Sequence, residues 1–364
     1  MKKNIEIQYL RVVAIVMVAL THRGFLATPK GHDPFAGIER YFSTWAGVDI
    51  FFVISGYLMG QILLGRTDSC VSPQEKMDVT IRFYRKRFLR LFPASFFWVT
   101  VMFVAGTVSG DVTIWSSNPD LFHKWVASIF QIRNFENDVH ISHLGWYWSL
   151  SLENQFYFIL PVLWFSLGRK IFWYLLAASA VAMMFWLPGG TGWFWFRPTG
   201  FIWGLLVYRV VSNEQTDRIL RAQIPKWNAG VSLTIVTCVL LLSTSVPVFL
   251  GQKYLPLSMS FVCMVSAIVL SFSSLNCEFV KIPALLQPAV FWAAEISYSF
   301  YLCHIVVWSL LKDVLKRHNI VMGTAITMEV GLLLACICAA CSYFFIERRF
   351  YRPRDFIATP IQGK

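Results

Sequence analysis

Charge is what this chain has least of. Only 14% of its 364 residues are Asp, Glu, Lys or Arg, while 56% are hydrophobic, against about 25% charged in an ordinary soluble domain. That shortage excludes a water-soluble globular protein. Polar linkers, low-complexity stretches and internal repeats are missing too, so the sequence marks neither a separate soluble domain nor the paired halves common in transporters. The eight cysteines form no framework. Cys238, Cys263, Cys303, Cys336, Cys338 and Cys341 lie in apolar runs, where cysteine behaves as a small hydrophobe, and Cys70 falls in a polar loop. The Cys336-x-Cys338-x-x-Cys341 spacing lacks the further ligands that a closed zinc site needs, so no metal is expected.

What is present is a series of apolar runs of membrane-spanning length, about 20 residues each. They lie near residues 7–26, 44–64, 89–108, 145–167, 170–187, 192–211, 229–249, 254–274, 286–311 and 322–346. The expectation is an all-α polytopic membrane protein with about ten transmembrane helices. The net charge of +12 could suit nucleic acid, but the basic residues cluster at the ends of the runs. Arg66, Lys76, Arg82, Arg85, Lys86, Arg87, Arg169, Lys170, Arg209, Arg218, Arg221 and Lys226 fall in alternate loops and Arg348, Arg349, Arg352 and Arg354 in the tail. Positive-inside topology then puts both termini in the cytoplasm, with Lys312, Lys316 and Arg317 as one contrary cluster. No nucleic acid partner is expected. Met1-Lys2-Lys3 before an apolar run resembles a secretory signal, but Arg11 interrupts its core and no small-residue cleavage site follows, so an uncleaved first span is expected. Residues 1–346 read as one transmembrane domain and 347–364 as a short basic cytoplasmic tail. The outer loop near residues 109–144 suits an interfacial helix.

Ionisable residues within such runs are costly, about 2.5–3.5 kcal/mol each on insertion scales, and mark function by default. Arg11 and His22 stand eleven positions apart in the first run. Eleven helical steps bring them to within roughly 20° of one face and separate them by about 16 Å along the axis. With the topology above, His22, Asp49, Glu153, Arg197 and His304 all fall in the outer half of the membrane. Each has a plainer reading: a helix cap for Asp49, an interfacial histidine for His304, a snorkelling side chain for Arg197. A common layer containing both signs of charge favours partnership. At the inner end, Arg87 and Arg90 share one helix face, where guanidinium forks can grip phosphate bidentately. The Gly200-x-x-x-Gly204 pair reads as close helix packing.

These residues fall in blocks that resemble bacterial acyltransferase family 3, the membrane-bound O-acyltransferases that decorate lipopolysaccharide O-antigens, exopolysaccharides and Nod factors. Arg11 and His22 resemble its Arg/Lys-x10-His motif, and residues 47–58 read GVDIFFVISGYL almost as the family does. Arg87 and Arg90 ahead of Pro93 resemble its Arg-x-x-Arg motif. WSLSLENQFY at 148–157, ISYSFYLCH at 296–304 and FIER at 345–348 complete the set. Asn154, where a second glutamate is common, and Cys303, where Trp is frequent, depart from it. The short tail resembles the stand-alone form.

The resemblance implies an inner-membrane O-acetyltransferase. Acetyl-CoA would be the donor, with no permanently bound cofactor, and a periplasmic, lipid-linked glycan of O-antigen or exopolysaccharide type would be the acceptor. Arg11, Arg87 and Arg90 would then hold the CoA phosphates. His22 would act as general base or transient acyl carrier, oriented by Asp49 or Glu153, with Arg197 and His304 near the substrate. Two rivals remain from the residues alone. Buried charges also line transporter and flippase pathways, and a membrane scaffold could hold them structurally.

Overall fold

The computed structural model describes residues 3–28, 33–136, 144–186 and 196–350. Among these residues there is no strand, and eight helices are long and apolar enough to cross a membrane. They are Ile5–Leu26, Thr44–Asp68, Pro73–Ser109, Tyr147–Phe185, Ala229–Leu250, Leu255–Ser274, Gln287–Arg317 and Thr324–Phe350, with the shorter apolar helix Thr199–Val211 beside them. Every expected run falls on one of these. Runs 145–167 and 170–187 are the two arms of Tyr147–Phe185, which Gly168 breaks with φ 71° and ψ 161°, a backbone conformation that side-chain-bearing residues avoid. The expected break at Pro188-Gly189-Gly190 lies outside the described residues.

We label the principal helices α1 (Ile5–His22), α2 (Gly47–Met59), α3 (Pro73–Ser109), α4 (Asn118–Ile129), α5 (Tyr147–Phe185), α6 (Thr199–Val211), α7 (Glu214–Ala222), α8 (Ala229–Ser243), α9 (Leu255–Ser274), α10 (Gln287–Arg317) and α11 (Thr324–Ser342). Local chemistry starts several of them. The Asn4 side chain accepts the N–H groups of Glu6 and Ile7 at the start of α1, and Ser72 accepts that of Glu75 before Pro73 opens α3. The most extensive contact is that of α2 with α6; α1 and α9 pack against this pair, and α10 packs against α1. Two glycines permit that approach. A methyl group on Gly204 would collide with the Val53 carbonyl, and one on Gly56 with the Phe201 carbonyl. The small-residue spacing of α6 is indeed close packing.

The bundle has two distinguishable ends. At one, Lys3 pairs with Glu295 at 2.5 Å, and buried Glu6 accepts the backbone N–H groups of Glu278 and Val280, each at 2.9 Å. Arg169, Arg209 and Arg218 share a surface groove there, next to the Arg169–Asp68 pair. At the other end Thr28 meets Thr324 at 2.9 Å, and Lys316 bonds Asp111. The chain stays helical through Phe350, and Glu347, expected to open the tail, is buried within the bundle. Residues 351–364 lie outside the described residues. In the outer loop a helix does form, α4, but it packs along α3: Trp125 donates to Thr100 at 3.2 Å and stacks on Phe103. The chain after it reaches α5, where Asn134 and Gln155 exchange side-chain hydrogen bonds of 3.1 and 2.8 Å, and Asn154 donates to Gln131 at 2.8 Å.

The α2–α6 contact yields a stability test. Gly204→Ala should destabilise by about 1–3 kcal/mol, the usual cost of overpacking, because the new methyl meets backbone that cannot move aside. Gly230→Ala, whose methyl would touch only the Asn228 side chain at 3.5 Å, should change little. Thermal unfolding in detergent, followed by size-exclusion homogeneity, compares them, and equal melting of the two would remove the close-packing argument.

Candidate active site

Three guanidinium groups converge on one cleft. Arg11 of α1 and Arg87 and Arg90 of α3 line it together with Val48, Phe52, Ser55 and Leu58 of α2, Ser149, Glu153 and Tyr157 of α5, and Ser297, Tyr298 and Tyr301 of α10. The cleft encloses about 780 Å³, the open space at its mouth included. Arg11 donates to Gln8 Oε1 at 3.2 Å and to Ser297 Oγ at 2.9 Å. Arg87 is buried, its guanidinium 5.1 Å from the centre of the Tyr157 ring and 5.9 Å from that of Phe83, a cation–π geometry.

Carboxylates balance this positive charge. Glu153 accepts from Ser55 Oγ at 2.7 Å and from the Tyr157 hydroxyl. Glu347 accepts from Ser299, which also bonds Ser342 at 2.9 Å, and it lies within electrostatic reach of Arg90 and Arg11. A π-helical turn, Tyr343–Glu347, ends α11 and brings this carboxylate inward, a backbone irregularity frequent at functional sites.

His22 and His304 meet farther along α1 and α10. His304 is completely buried and His22 half-buried. His304 Nδ1 faces the carbonyls of Phe300 and Tyr301 at 3.0 and 2.9 Å. Carbonyls only accept, so Nδ1 carries the proton, and in a neutral ring Nε2 is then the acceptor. His22 Nδ1 lies 3.1 Å from that Nε2 and must donate to it. His22 Nε2 is left with its lone pair unprotonated. Next to this pair, Arg23 ties down the outer loop by bonds to Asp33 (3.0 Å), Glu39 and the Phe35 carbonyl (3.1 Å). The Arg23 guanidinium holds the Glu39 carboxyl below its ordinary range.

Asp49 and Arg197 form a third group. Their side chains are 3.5 Å apart and almost wholly buried. The Arg197 guanidinium sits 5.0 Å from the centre of the Trp45 ring and 4.7 Å from that of Trp148.

The five residues expected in one outer layer therefore separate. His22 joins His304, Asp49 joins Arg197, and Glu153 joins the arginine cleft. The reason lies at the start of α5. Leu144, Trp146 and Tyr147 are already buried, so the helix begins inside the bundle and Glu153 sits deeper than counting from the surface implies. Its partner Ser55 is six residues beyond Asp49 on α2, about 9 Å along the axis. Among the described contacts, the hydrogen-bond partner of His22 on another helix is His304 rather than Asp49 or Glu153. The grouping of Arg11 with Arg87 and Arg90 is found as expected. The neutral members Ser55, Ser149, Tyr157, Ser297 and Tyr301 gave no charge signal, although all lie within the sequence blocks that drew attention. Glu347 stood in such a block without a role assigned to it.

The chain is similar to bacterial O-acetyltransferases. The chain is 30% identical over 166 residues to the peptidoglycan O-acetyltransferase OatA of Listeria monocytogenes, covering 43% of this chain and 23% of that protein. It is 32% identical over 133 residues to the O-acetyltransferase OatA of Staphylococcus aureus, covering 34% and 21% respectively. With Bacillus subtilis YrhL, named provisionally as a peptidoglycan O-acetyltransferase, it shares 26% identity over 345 residues, 83% of this chain and 50% of that one. The chain thus matches half or less of the length of these relatives. No solved structure matches it. The sequence profile of the acyltransferase 3 family, described as an acyltransferase domain, matches residues 4–346, and the chain belongs to that family of multi-pass membrane acyltransferases.

Proposed function

We propose that the protein is an O-acetyltransferase that binds acetyl-CoA through the arginine cleft and transfers its acetyl group to a sugar hydroxyl of a cell-envelope glycan at the His22 end. One observation carries the reading. Arg11, which joins Arg87 and Arg90 of α3 in the cleft, and His22, whose imidazole keeps a free lone pair, stand on the same helix about 16 Å apart, and an extended pantetheine arm is of comparable length. Family membership favours this enzyme over a transporter or a scaffold, and membership together with the basic end supports residence in the cytoplasmic membrane with donor access from the cytoplasm.

In this mechanism Arg11, Arg87 and Arg90 hold the donor's phosphates, with Glu153 and Glu347 as resident counter-charges. The acceptor hydroxyl approaches His22. His22 Nε2 takes its proton while the oxygen attacks the thioester carbonyl carbon. A C–O bond forms and the C–S bond breaks. The leaving thiolate then takes the proton from Nε2, restoring the neutral pair. During the step the imidazolium Nδ1–H remains on His304 Nε2, so His304 fills the orienting position that a carboxylate holds in other triads. Asp49 and Arg197 act in this reading as a buried pair that fixes the start of α2 beside the site. A surface polysaccharide was the acceptor expected from sequence. The names of the relatives add peptidoglycan, and both offer sugar hydroxyls on the far side of the membrane.

His22→Ala should lower transfer by about 10²–10⁴-fold or more while the protein still inserts and purifies as a homogeneous species. Acetylation of isolated peptidoglycan and of lipid-linked glycan, measured separately with labelled acetyl-CoA, reads the effect and separates the two acceptors. Wild-type transfer by His22→Ala would end the mechanism.

Arg87→Lys and Arg90→Lys retain charge but lose the planar fork. Each should weaken acetyl-CoA binding by about tenfold, roughly one charge-assisted hydrogen bond, and unchanged affinity in both would reduce these arginines to topology signals. For orientation, single cysteines replacing exposed Tyr41 and Gln215 are compared in a cysteine-free background. Position 41 should label with an impermeant thiol reagent in cells with an intact cytoplasmic membrane, and position 215 only after that membrane is broken. The reverse pattern would invert the direction of transfer.

A further inference from the structure

Two hydroxyls line the side of the arginine cleft nearest the histidine pair. Ser149 and Tyr301 both line it, and their oxygens are hydrogen-bonded to each other. The Tyr301 hydroxyl also donates to the Trp146 carbonyl at 2.6 Å. Past these hydroxyls along α10 lies the histidine pair. The main-chain carbonyl of the same tyrosine faces His304 Nδ1 at 2.9 Å, the His304 ring stands one helical turn along α10, and the Trp146 ring meets it edge-on at 6.1 Å. Tyr301 is thus the residue that touches both compartments, its phenol in the cleft and its backbone on the pair. Ser149 is buried and Tyr301 half-buried.

We propose that Tyr301 is a catalytic residue whose hydroxyl donates to the thioester carbonyl oxygen of the donor, with the Trp146 carbonyl as its resting acceptor and Ser149 donating to the phenol oxygen; this rests on the acetyl-CoA reading above. A donor arm extending outward from the three arginines reaches these hydroxyls before it reaches His22, because Tyr301 stands on α10 between Ser297, which bonds Arg11, and His304, which bonds His22. The phenol O–H then turns from the Trp146 carbonyl to the thioester oxygen as its acceptor, while Ser149 continues to donate to the phenol. As the acceptor oxygen adds to the carbonyl carbon, negative charge gathers on that oxygen, and a fixed donor in a dry site stabilises it more than the ground state. Because the helix fixes the Tyr301 carbonyl on His304 Nδ1, the donor group and the tautomer of the base are set by one residue.

The test uses the full-length protein in lipid nanodiscs, with acetyl-CoA and the glycan acceptor. Tyr301→Phe keeps the ring and should lower kcat by about 10²-fold, the cost of one such donor, with KM for acetyl-CoA unchanged. Ser149→Ala removes the hydroxyl that donates to the phenol and should act in the same direction but more weakly, lowering kcat by about fivefold, one neutral hydrogen bond, with KM for acetyl-CoA unchanged. Difference infrared spectra with carbonyl-labelled acetyl-CoA, taken on the His22→Ala background to prevent turnover, should show the thioester stretch lowered on binding and restored by Tyr301→Phe. Wild-type kcat in Tyr301→Phe, an unshifted carbonyl, or a parallel loss of donor affinity and melting temperature in both variants would overturn the proposal. Failure of the underlying reading would look different, as absence of acetyl-CoA binding and turnover in the wild type itself.

Discussion

A charged side chain inside a helical bundle has to be matched by groups that the bundle itself supplies, because lipid offers none. Removing a guanidinium or carboxylate from water costs several kcal/mol even after relaxation, and the polar interior of this protein is ordered by that cost. Arg197 is faced by Asp49 and by two indole rings. Arg11, Arg87 and Arg90 are faced by Glu153 and Glu347, with Ser55, Ser297, Ser299 and Tyr157 supplying the hydrogen bonds. The histidines answer the same constraint differently. As neutral rings they match donor to acceptor in a chain that ends on backbone carbonyls, and so they need no counter-ion.

That difference gives the two ends of the site distinct chemistry. In the proposed reading the cleft's three guanidinium groups, with Glu153 and Glu347 as resident counter-charges, would receive a phosphate-bearing ligand. At the other end, no formal charge is required until a proton moves. When it does, the imidazolium arises in contact with His304 and within a region of low dielectric, where each fixed dipole counts for more than in water. A carboxylate beside His22 would stabilise that cation further, but it would also hold the ring protonated at rest. A neutral partner leaves the lone pair available.

Much of this was legible in the residues. The scarcity of charge and the recurrence of apolar runs announced the all-α membrane bundle, and the eleven-residue spacing of Arg11 and His22 placed them at two levels of one helix. The Arg87–Arg90 pair was legible for the same reason, since periodicity on one helix is a local property. What failed was depth measured across helices. Glu153 was counted from the apparent start of its span, whereas α5 begins inside the bundle, at already buried Trp146 and Tyr147. The pairing of His22 with His304 was equally out of reach, because the residues stand 282 positions apart and only packing of α1 on α10 joins them. Neutral hydroxyls such as Ser149 and Tyr301 carry no signature of cost in a hydropathy reading, since a helix can satisfy them locally.

The glycines of the α2–α6 contact connect the packing to the chemistry. Helix α2 presents Ser55 to Glu153 on one face and Asp49 to Arg197 on another, while Val48 and Phe52 line the cleft. Gly56 and Gly204 allow it to approach α6 backbone to backbone, and at that distance a helix has little freedom to rotate. Turning α2 by one residue, about 100°, would withdraw Ser55 from Glu153 and part Asp49 from Arg197 together. A backbone-to-backbone contact without an ionisable group of its own thus sets the register of two charge pairs, and with them the shape of the arginine cleft. Substitutions at these glycines should therefore lower activity together with melting temperature, since any displacement of α2 that admits a methyl group also strains both charge pairs.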